Sequence, residues 1–161
     1  SKRIKMRKMI ITAIIAVLTL TACNKKDNAD STDPTTGLET FEQIKTANSG
    51  KVIGFNVLDT LCPPCKEETP SFVEMYKKYG NDDFELVGLS IDDNKGEIDK
   101  FIEEYGITYP VYHITTTIQR KLMADKIPTT VIYKPNGMYH TTVLGMVDGE
   151  RLYQIVQSAA Q

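Results

Sequence analysis

Two cysteines three positions apart, Cys62-Pro63-Pro64-Cys65, stand where the apolar pattern of the chain changes character. Ahead of them runs Val52-Ile53-Gly54-Phe55-Asn56-Val57-Leu58, short and apolar enough for a buried strand. Behind them Phe72, Met75, Tyr76 and Tyr79 recur at the i, i+3, i+4 and i+7 spacing of a helix face. The pair therefore falls at a strand-to-helix junction. At a helix start two such cysteines can close a small ring, and the unpaired N–H groups and dipole of the helix stabilise the thiolate of the first. A redox-active dithiol is the chemistry this spacing serves best, with Cys62 as attacking thiolate and Cys65, one turn in, as resolving thiol. A structural disulfide and a pair of metal ligands are the other uses of the motif. Zinc would want two further ligands, and there is no second CxxC. Pro63 and Pro64 fix φ and remove N–H groups beside the thiolate, so they are expected to tune its redox potential.

The rest of the chain alternates between the two periods. Phe41 to Ile44 suggests a short helix, and Phe84 to Ile91 a second buried strand. Ile98, Phe101, Ile102 and Tyr105 then form a helical row that Gly106 should stop. Ile118 and Leu122 point to another short helix and Thr129 to Tyr133 to a strand. Pro135-Asn136-Gly137 supplies the turn into a hairpin partner, Tyr139 to Leu144, and Leu152, Ile155, Val156 and Ala159 close with an amphipathic helix. This order predicts an α/β fold in which helices cover both faces of a central mixed β-sheet.

Residues 1–22 have a different logic. Five basic residues precede the apolar run Met9 to Leu20, which is long enough for a signal peptide and short for a membrane span. Leu20-Thr21-Ala22-Cys23 resembles the bacterial lipobox, in which the cysteine receives lipid and the peptide is cut before it; a short membrane span with a chance cysteine is the alternative. Lipidation would also account for the third cysteine left over from the CxxC pair, and several acyl chains on one residue suffice for stable anchoring. Residues 23–37 are polar apart from Ala29 beyond the cysteine and read as a disordered tether spanning roughly 20 Å. A single domain is expected over 38–161. Without residues 1–22 the formal charge falls from −2 to −7, which argues against nucleic acid as a partner.

The segments Asn56 to Pro70, Val87-Gly88-Leu89-Ser90-Ile91-Asp92, Tyr105 to Pro110 and Ile127-Pro128-Thr129-Thr130 resemble the TlpA/ResA-like branch of the thioredoxin superfamily. The likeness covers most of residues 50–157. It implies a thioredoxin-like fold with an inserted βα unit around residues 84–110. It also implies a thiol-disulfide oxidoreductase tethered outside the cytoplasm, of a kind that in several members reduces apocytochrome c before haem attachment. No bound cofactor is expected beyond the Cys62–Cys65 couple. The implied partners are protein dithiols and disulfides, with a transmembrane electron donor upstream because the compartment is oxidising. A monomer held to a bacterial membrane through Cys23 is the expected form. Pro128, 66 residues after Cys62, resembles the family's cis-proline, which would set Ile127 and Thr129 where a substrate strand can pair; an ordinary trans turn proline is the base-rate alternative.

Two positions carry the proton question. Asn56, six residues before Cys62, stands where thioredoxins proper often bury an acid, and being neutral it cannot shuttle a proton. Glu68 shares the inward row of Phe72 and Met75, three residues after Cys65, and matches the acid that the family carries after its motif; a surface carboxylate is the alternative, and Pro70 could bend the helix locally. Glu67 points elsewhere. His113 and His140, the only histidines, are expected as surface or packed residues, and no metal site is expected. The chain departs from the family in lacking Trp altogether and in placing Leu58 and Leu61 where aromatic residues usually precede the first cysteine. A disulfide-donating oxidase or isomerase is the rival enzymatic reading, and a copper(I)-handling lipoprotein the non-enzymatic one. The Pro and Thr spacing expected before a peroxidatic cysteine is missing.

Overall fold

The computed structural model describes residues 38–80 and 83–161, so the expected signal segment, lipobox cysteine and tether lie outside the described residues. Ten elements follow in order: α1 (Leu38–Ala47), β1 (Val52–Leu58), α2 (Pro63–Tyr79), β2 (Phe84–Ser90), α3 (Lys95–Tyr105), β3 (Val111–His113), α4 (Thr116–Lys121), β4 (Thr129–Tyr133), β5 (Tyr139–Leu144) and α5 (Gly149–Ala159). The strands form one sheet in the order β3-β2-β1-β4-β5. The β3-β2-β1 half is parallel, and β4 runs antiparallel to both β1 and β5.

β1 lies at the centre, and all seven of its residues are buried. A strand covered on both faces needs a near-continuous apolar run, which is what Val52 to Leu58 supplies except at Asn56. Its side chains alternate between two cores. Ile53, Phe55 and Val57 join Phe41 and Ile44 of α1, Ile118 of α4 and Leu122 just beyond it; the Phe41 and Phe55 rings sit 4.8 Å apart. Val52 and Leu58 join Phe72, Val73 and Met75 of α2, Ile98 and Phe101 of α3, and Leu152, Val156 and Ala159 of α5. Asn56 therefore faces α2.

Helices α2 and α5 meet closely on that second face. Gly149 opens α5 with its N–H donating to Ser71 Oγ at 3.0 Å, and a Cβ at this position would collide with the Ser71 carbonyl oxygen. Further along, the rings of Tyr79 and Tyr153 stack 3.6 Å apart. Gly106 ends α3 in the left-handed region, φ 60°, which glycine enters without the cost of a Cβ.

The structure adds one strand and trims another relative to the periodicity. β3 is three residues long, too short for a period of two to stand out, and its pairing with β2 makes the 84–113 segment a parallel β-α-β crossover at the sheet edge. β2 ends at Ser90, one residue early, though Ile91 still donates its N–H to the Leu58 carbonyl at 2.9 Å. α2 continues through Pro70, whose missing N–H leaves the Lys66 carbonyl without its helical donor.

Candidate active site

β1 delivers the chain to the start of α2 through Asp59-Thr60-Leu61, and this turn is tied down at both ends. Cys62 N–H donates to the Asp59 carbonyl at 3.1 Å, and Leu61 N–H to Asp59 Oδ1 at 2.7 Å. From the end of β2 the buried Asp92 carboxylate reaches across to accept from Thr60 N–H at 3.0 and 3.2 Å, from Thr60 Oγ1 at 2.5 Å and from Ser90 Oγ at 2.5 Å. The turn presents Cys62 as the N-cap of α2. Pro63 and Pro64 fill the first helical positions, where no N–H is needed, and Cys65 N–H donates to Cys62 Sγ at 3.4 Å. Cys62 is half-buried and Cys65 is 1% exposed. The two are joined as a disulfide.

One turn further, Glu68 points inward and is 3% exposed, so the surface alternative does not describe it. Its Oε1 accepts from Asn56 Nδ2 at 2.8 Å and its Oε2 from the Val147 N–H at 3.3 Å. Asn56 Nδ2 also donates to Thr130 Oγ1, 3.1 Å away on the paired strand β4. Burial raises the Glu68 carboxyl from 4.5 to about 7, and the two hydrogen bonds hold it back from rising further. Tyr109, 3% exposed, feels the same carboxyl: burial first and the Glu68 charge second push its phenol above the usual range.

The Ile127–Pro128 peptide is cis. It sits at the end of the sheet where β1 delivers the cysteines, since Val57 pairs with Thr129 in register. Pro128 O accepts from Gly145 N–H at 2.9 Å and Thr129 Oγ1 donates to Lys126 O at 2.6 Å, so the loop is braced from β5 and from its own backbone. Ile127 and Cys62 pack against the same core that holds Cys65. Leu61 is 73% and Met146 50% exposed, giving the rim an apolar character without an aromatic ring at Leu61. His140 bonds Ser158 on α5 at 3.0 Å, away from this site, and His113 lies in β3. Among the described residues no group of three or more His, Cys, Asp or Glu side chains is placed to hold a metal ion.

Four contributors escaped the sequence reading. Asn56 is a hydrogen-bonding partner of the acid, a role for which its neutrality is no obstacle; the signal was one polar residue inside an apolar strand. Thr130 is its cross-strand neighbour, knowable only from register, and Val147 contributes backbone alone. Asp92 closes the Val87-Gly88-Leu89-Ser90-Ile91-Asp92 segment that resembles the family, but nothing in spacing says that it reaches Thr60.

A family model described as the AhpC/TSA family matches residues 29–139. The chain belongs to the AhpC/TSA family. Among its relatives, the thiol-disulfide oxidoreductase ResA of Oceanobacillus iheyensis is 36% identical over 104 residues, covering 64% of this chain and 54% of that protein. ResA of Bacillus subtilis is 30% identical over 99 residues, covering 60% and 54%. The chain thus matches little more than half the length of either of these two AhpC/TSA relatives. A crystal structure of a thiol:disulfide interchange protein of the thioredoxin family from Chlorobium tepidum superposes with a TM-score of 0.66 at 25% identity, covering 71% of this chain and 83% of that one. The fold of this AhpC/TSA member is thioredoxin-like, with the resemblance to ResA-type proteins that its motifs imply.

Proposed function

We propose that this protein is a membrane-anchored thiol-disulfide oxidoreductase working outside the cytoplasm, which reduces disulfides in partner proteins through Cys62 and Cys65. The observation that carries the reading is the pairing of a half-buried cysteine at a helix N-cap with a buried one a turn inside, beside an acid near neutrality. The names of the relatives support the same chemistry. In the reduced state Cys62 ionises first, because it caps the N-terminus of α2 and the Cys65 N–H faces its sulfur. Its thiolate attacks one sulfur of a partner disulfide; a mixed disulfide forms and the first partner sulfur leaves as thiolate, taking a proton from solvent. Cys65 then gives its proton to the Glu68 carboxylate and attacks Cys62 Sγ. The second partner sulfur leaves as thiolate and takes a proton from solvent, and Cys62–Cys65 is left oxidised with the Cys65 proton on Glu68. Two electrons have moved to the partner, and an upstream dithiol donor in the membrane must restore them. A carboxyl near pH 7 is poised to take and return that proton.

Anchoring is assigned to lipid on Cys23, on the strength of the lipobox-like Leu20-Thr21-Ala22-Cys23. Reduction of an apocytochrome c before haem attachment is the substrate we favour, on the strength of the TlpA/ResA-like motifs.

The test is trapping. Cys65→Ser should hold partners in a reductant-sensitive covalent complex, and Cys62→Ser should hold few or none; reversed trapping would overturn the roles. A Cys62/Cys65 reduction potential on the oxidising side of the partner's would overturn the reductant reading in favour of a disulfide donor. Cys23→Ala should release the protein from membranes while leaving disulfide reduction in solution unchanged, and retention after carbonate washing would refute lipid anchoring.

A further inference from the structure

The two oxygens of Glu68 face different kinds of donor. Val147 offers Oε2 a backbone N–H, which can only donate, and a carbonyl oxygen accepts such a bond better than the oxygen of an O–H does. The neutral acid is therefore best served with its proton on Oε1. Oε1 faces Asn56 Nδ2 at 2.8 Å, and an O–H confronting an N–H is two donors without an acceptor. At 3% exposure no bulk water is at hand to repair that mismatch, and an unmade hydrogen bond in the interior is costly. An asparagine amide contains the remedy. Turned by half a revolution about its last bond, it puts Oδ1 where Nδ2 was.

We propose that Asn56 is a two-way partner of Glu68, donating through Nδ2 to the carboxylate and, with its amide turned over, accepting through Oδ1 from the carboxylic acid. The third member of the cluster tolerates both settings. Thr130 Oγ1, 3.1 Å from Nδ2, accepts when the amide nitrogen faces it and donates when the amide oxygen does, because a hydroxyl rotor serves either way. An aspartate at position 56 could not do this: ionised, it accepts only, and beside Glu68 it would share one proton between two carboxyls. A neutral residue at this place therefore has a positive reason. It lets a buried acid change charge without orphaning itself, which deepens the proton-handling role of Glu68 proposed above and rests on that reading.

Of the other groups around Glu68, the Tyr109 hydroxyl is the one that could also accept from the acid, and it makes no hydrogen bond to it here. From α2 itself come the Cys62–Cys65 sulfurs, while Glu67 is exposed and Lys66 half-buried outside the hydrogen-bonded cluster. From the segment before β3 comes the Tyr109 hydroxyl, buried without a hydrogen-bond partner and electrostatically coupled to Glu68. From α5 and its approach, the Asp148 carboxylate caps the Arg151 N–H and Glu150 pairs with Lys78 at the surface, so neither engages the acid.

The experiment follows the Glu68 carboxyl carbon and the Asn56 side-chain amide by NMR from pH 4 to 9 in the oxidised protein. In the wild type both should move together with one midpoint near 7. Asn56→Leu, close in volume and without hydrogen-bonding groups, should raise the Glu68 midpoint by about one unit, since the carboxylate loses a donor. Asn56→Asp should replace the single midpoint by two, the upper well above neutrality. Thr130→Ser, which keeps the hydroxyl, should leave the midpoint in place. An Asn56 amide that stays fixed while Glu68 titrates would overturn the proposal, and this needs no variant to fold; an unchanged Glu68 midpoint in folded Asn56→Leu would do the same. Disulfide exchange by the wild type is measured alongside. Absent exchange with a responsive amide would sink the functional reading and spare this one, and the reverse result would remove only the role of Asn56.

Discussion

The two faces of the central sheet are built from alternate residues of the same strand, yet they solve different problems. Ile53, Phe55 and Val57 face α1 and α4 across an apolar cluster, with the uncharged, buried Thr129 beside Val57. Val52, Asn56 and Leu58 face α2, α3 and α5, and there the core also encloses Cys65, Glu68, Tyr109 and Thr130. The first face gains from every atom it removes from water. The second gives up part of that gain, since desolvating a carboxyl is unfavourable, and receives in exchange a titratable group beside a redox couple. The period of two in β1 keeps the compromise to one side.

If the division is real, truncating the apolar face should be the largest blow to stability and the smallest to chemistry. Phe55 is 0% exposed and packs on Phe41 and Tyr133 at ring separations of 4.8 and 5.8 Å. Phe55→Ala is expected to cost about 3–5 kcal/mol by denaturant unfolding. Where the variant remains folded, its Glu68 titration should match that of the wild type. A displaced Glu68 midpoint would mean that the two faces are coupled through the strand and that the comparison is too simple.

The polar face answers to pH instead, and its sign is fixed by the direction of the Glu68 shift. The carboxyl titrates at 4.5 in the unfolded chain and at about 7 in the folded one. Below 4.5 both states hold the proton and stability from this group is complete. Between 4.5 and 7 the unfolded chain releases this proton while the folded state keeps it, so stability falls as pH rises, by about 3 kcal/mol in all, and the loss is complete once pH has passed the folded midpoint. Glu68→Gln should remove that slope between pH 4.5 and 8. A wild-type slope equal to that of Glu68→Gln would show that the acid is solvated in solution.

How much of this was legible beforehand follows from the range over which each signal acts. Strands β1, β4 and β5 and the cap at Gly106 were readable to the residue, because period and turn chemistry are local. β3 was not: three residues after Pro110 hold no period, and only its neighbour β2 makes it a strand. The position of Glu68 on the inward row came from helical spacing, and its burial follows from Phe72 and Met75 on the same row. Its partners were out of reach. Asn56 lies 12 residues away, Val147 79, and Thr130 is joined to Asn56 across 74, distances closed only by strand register and by the docking of α5 on α2.

A second buried carboxylate sharpens the contrast between polar burial that serves titration and polar burial that serves shape. Glu68 has one side-chain donor and one backbone donor, whereas Asp92 is held by Thr60 N–H, Thr60 Oγ1 and Ser90 Oγ together, and its own N–H donates to Ser90 Oγ at 3.0 Å. Every group around the Asp92 oxygens can donate, and what they secure is the turn that presents Leu61 and Cys62. Asp92→Asn exchanges one of those oxygens for an NH₂ that must face a donor, and Ser90 Oγ is already engaged with the backbone at residue 92. The expected cost is about 1–2 kcal/mol in unfolding free energy, smaller than for Phe55 or Glu68 because the other oxygen keeps its bonds. Disulfide exchange should slow through looser presentation of Cys62, while the pH midpoint assigned to Glu68 stays where it was. A shifted midpoint would place Asp92 in the proton network, and the distinction between the two carboxylates would then have to be given up.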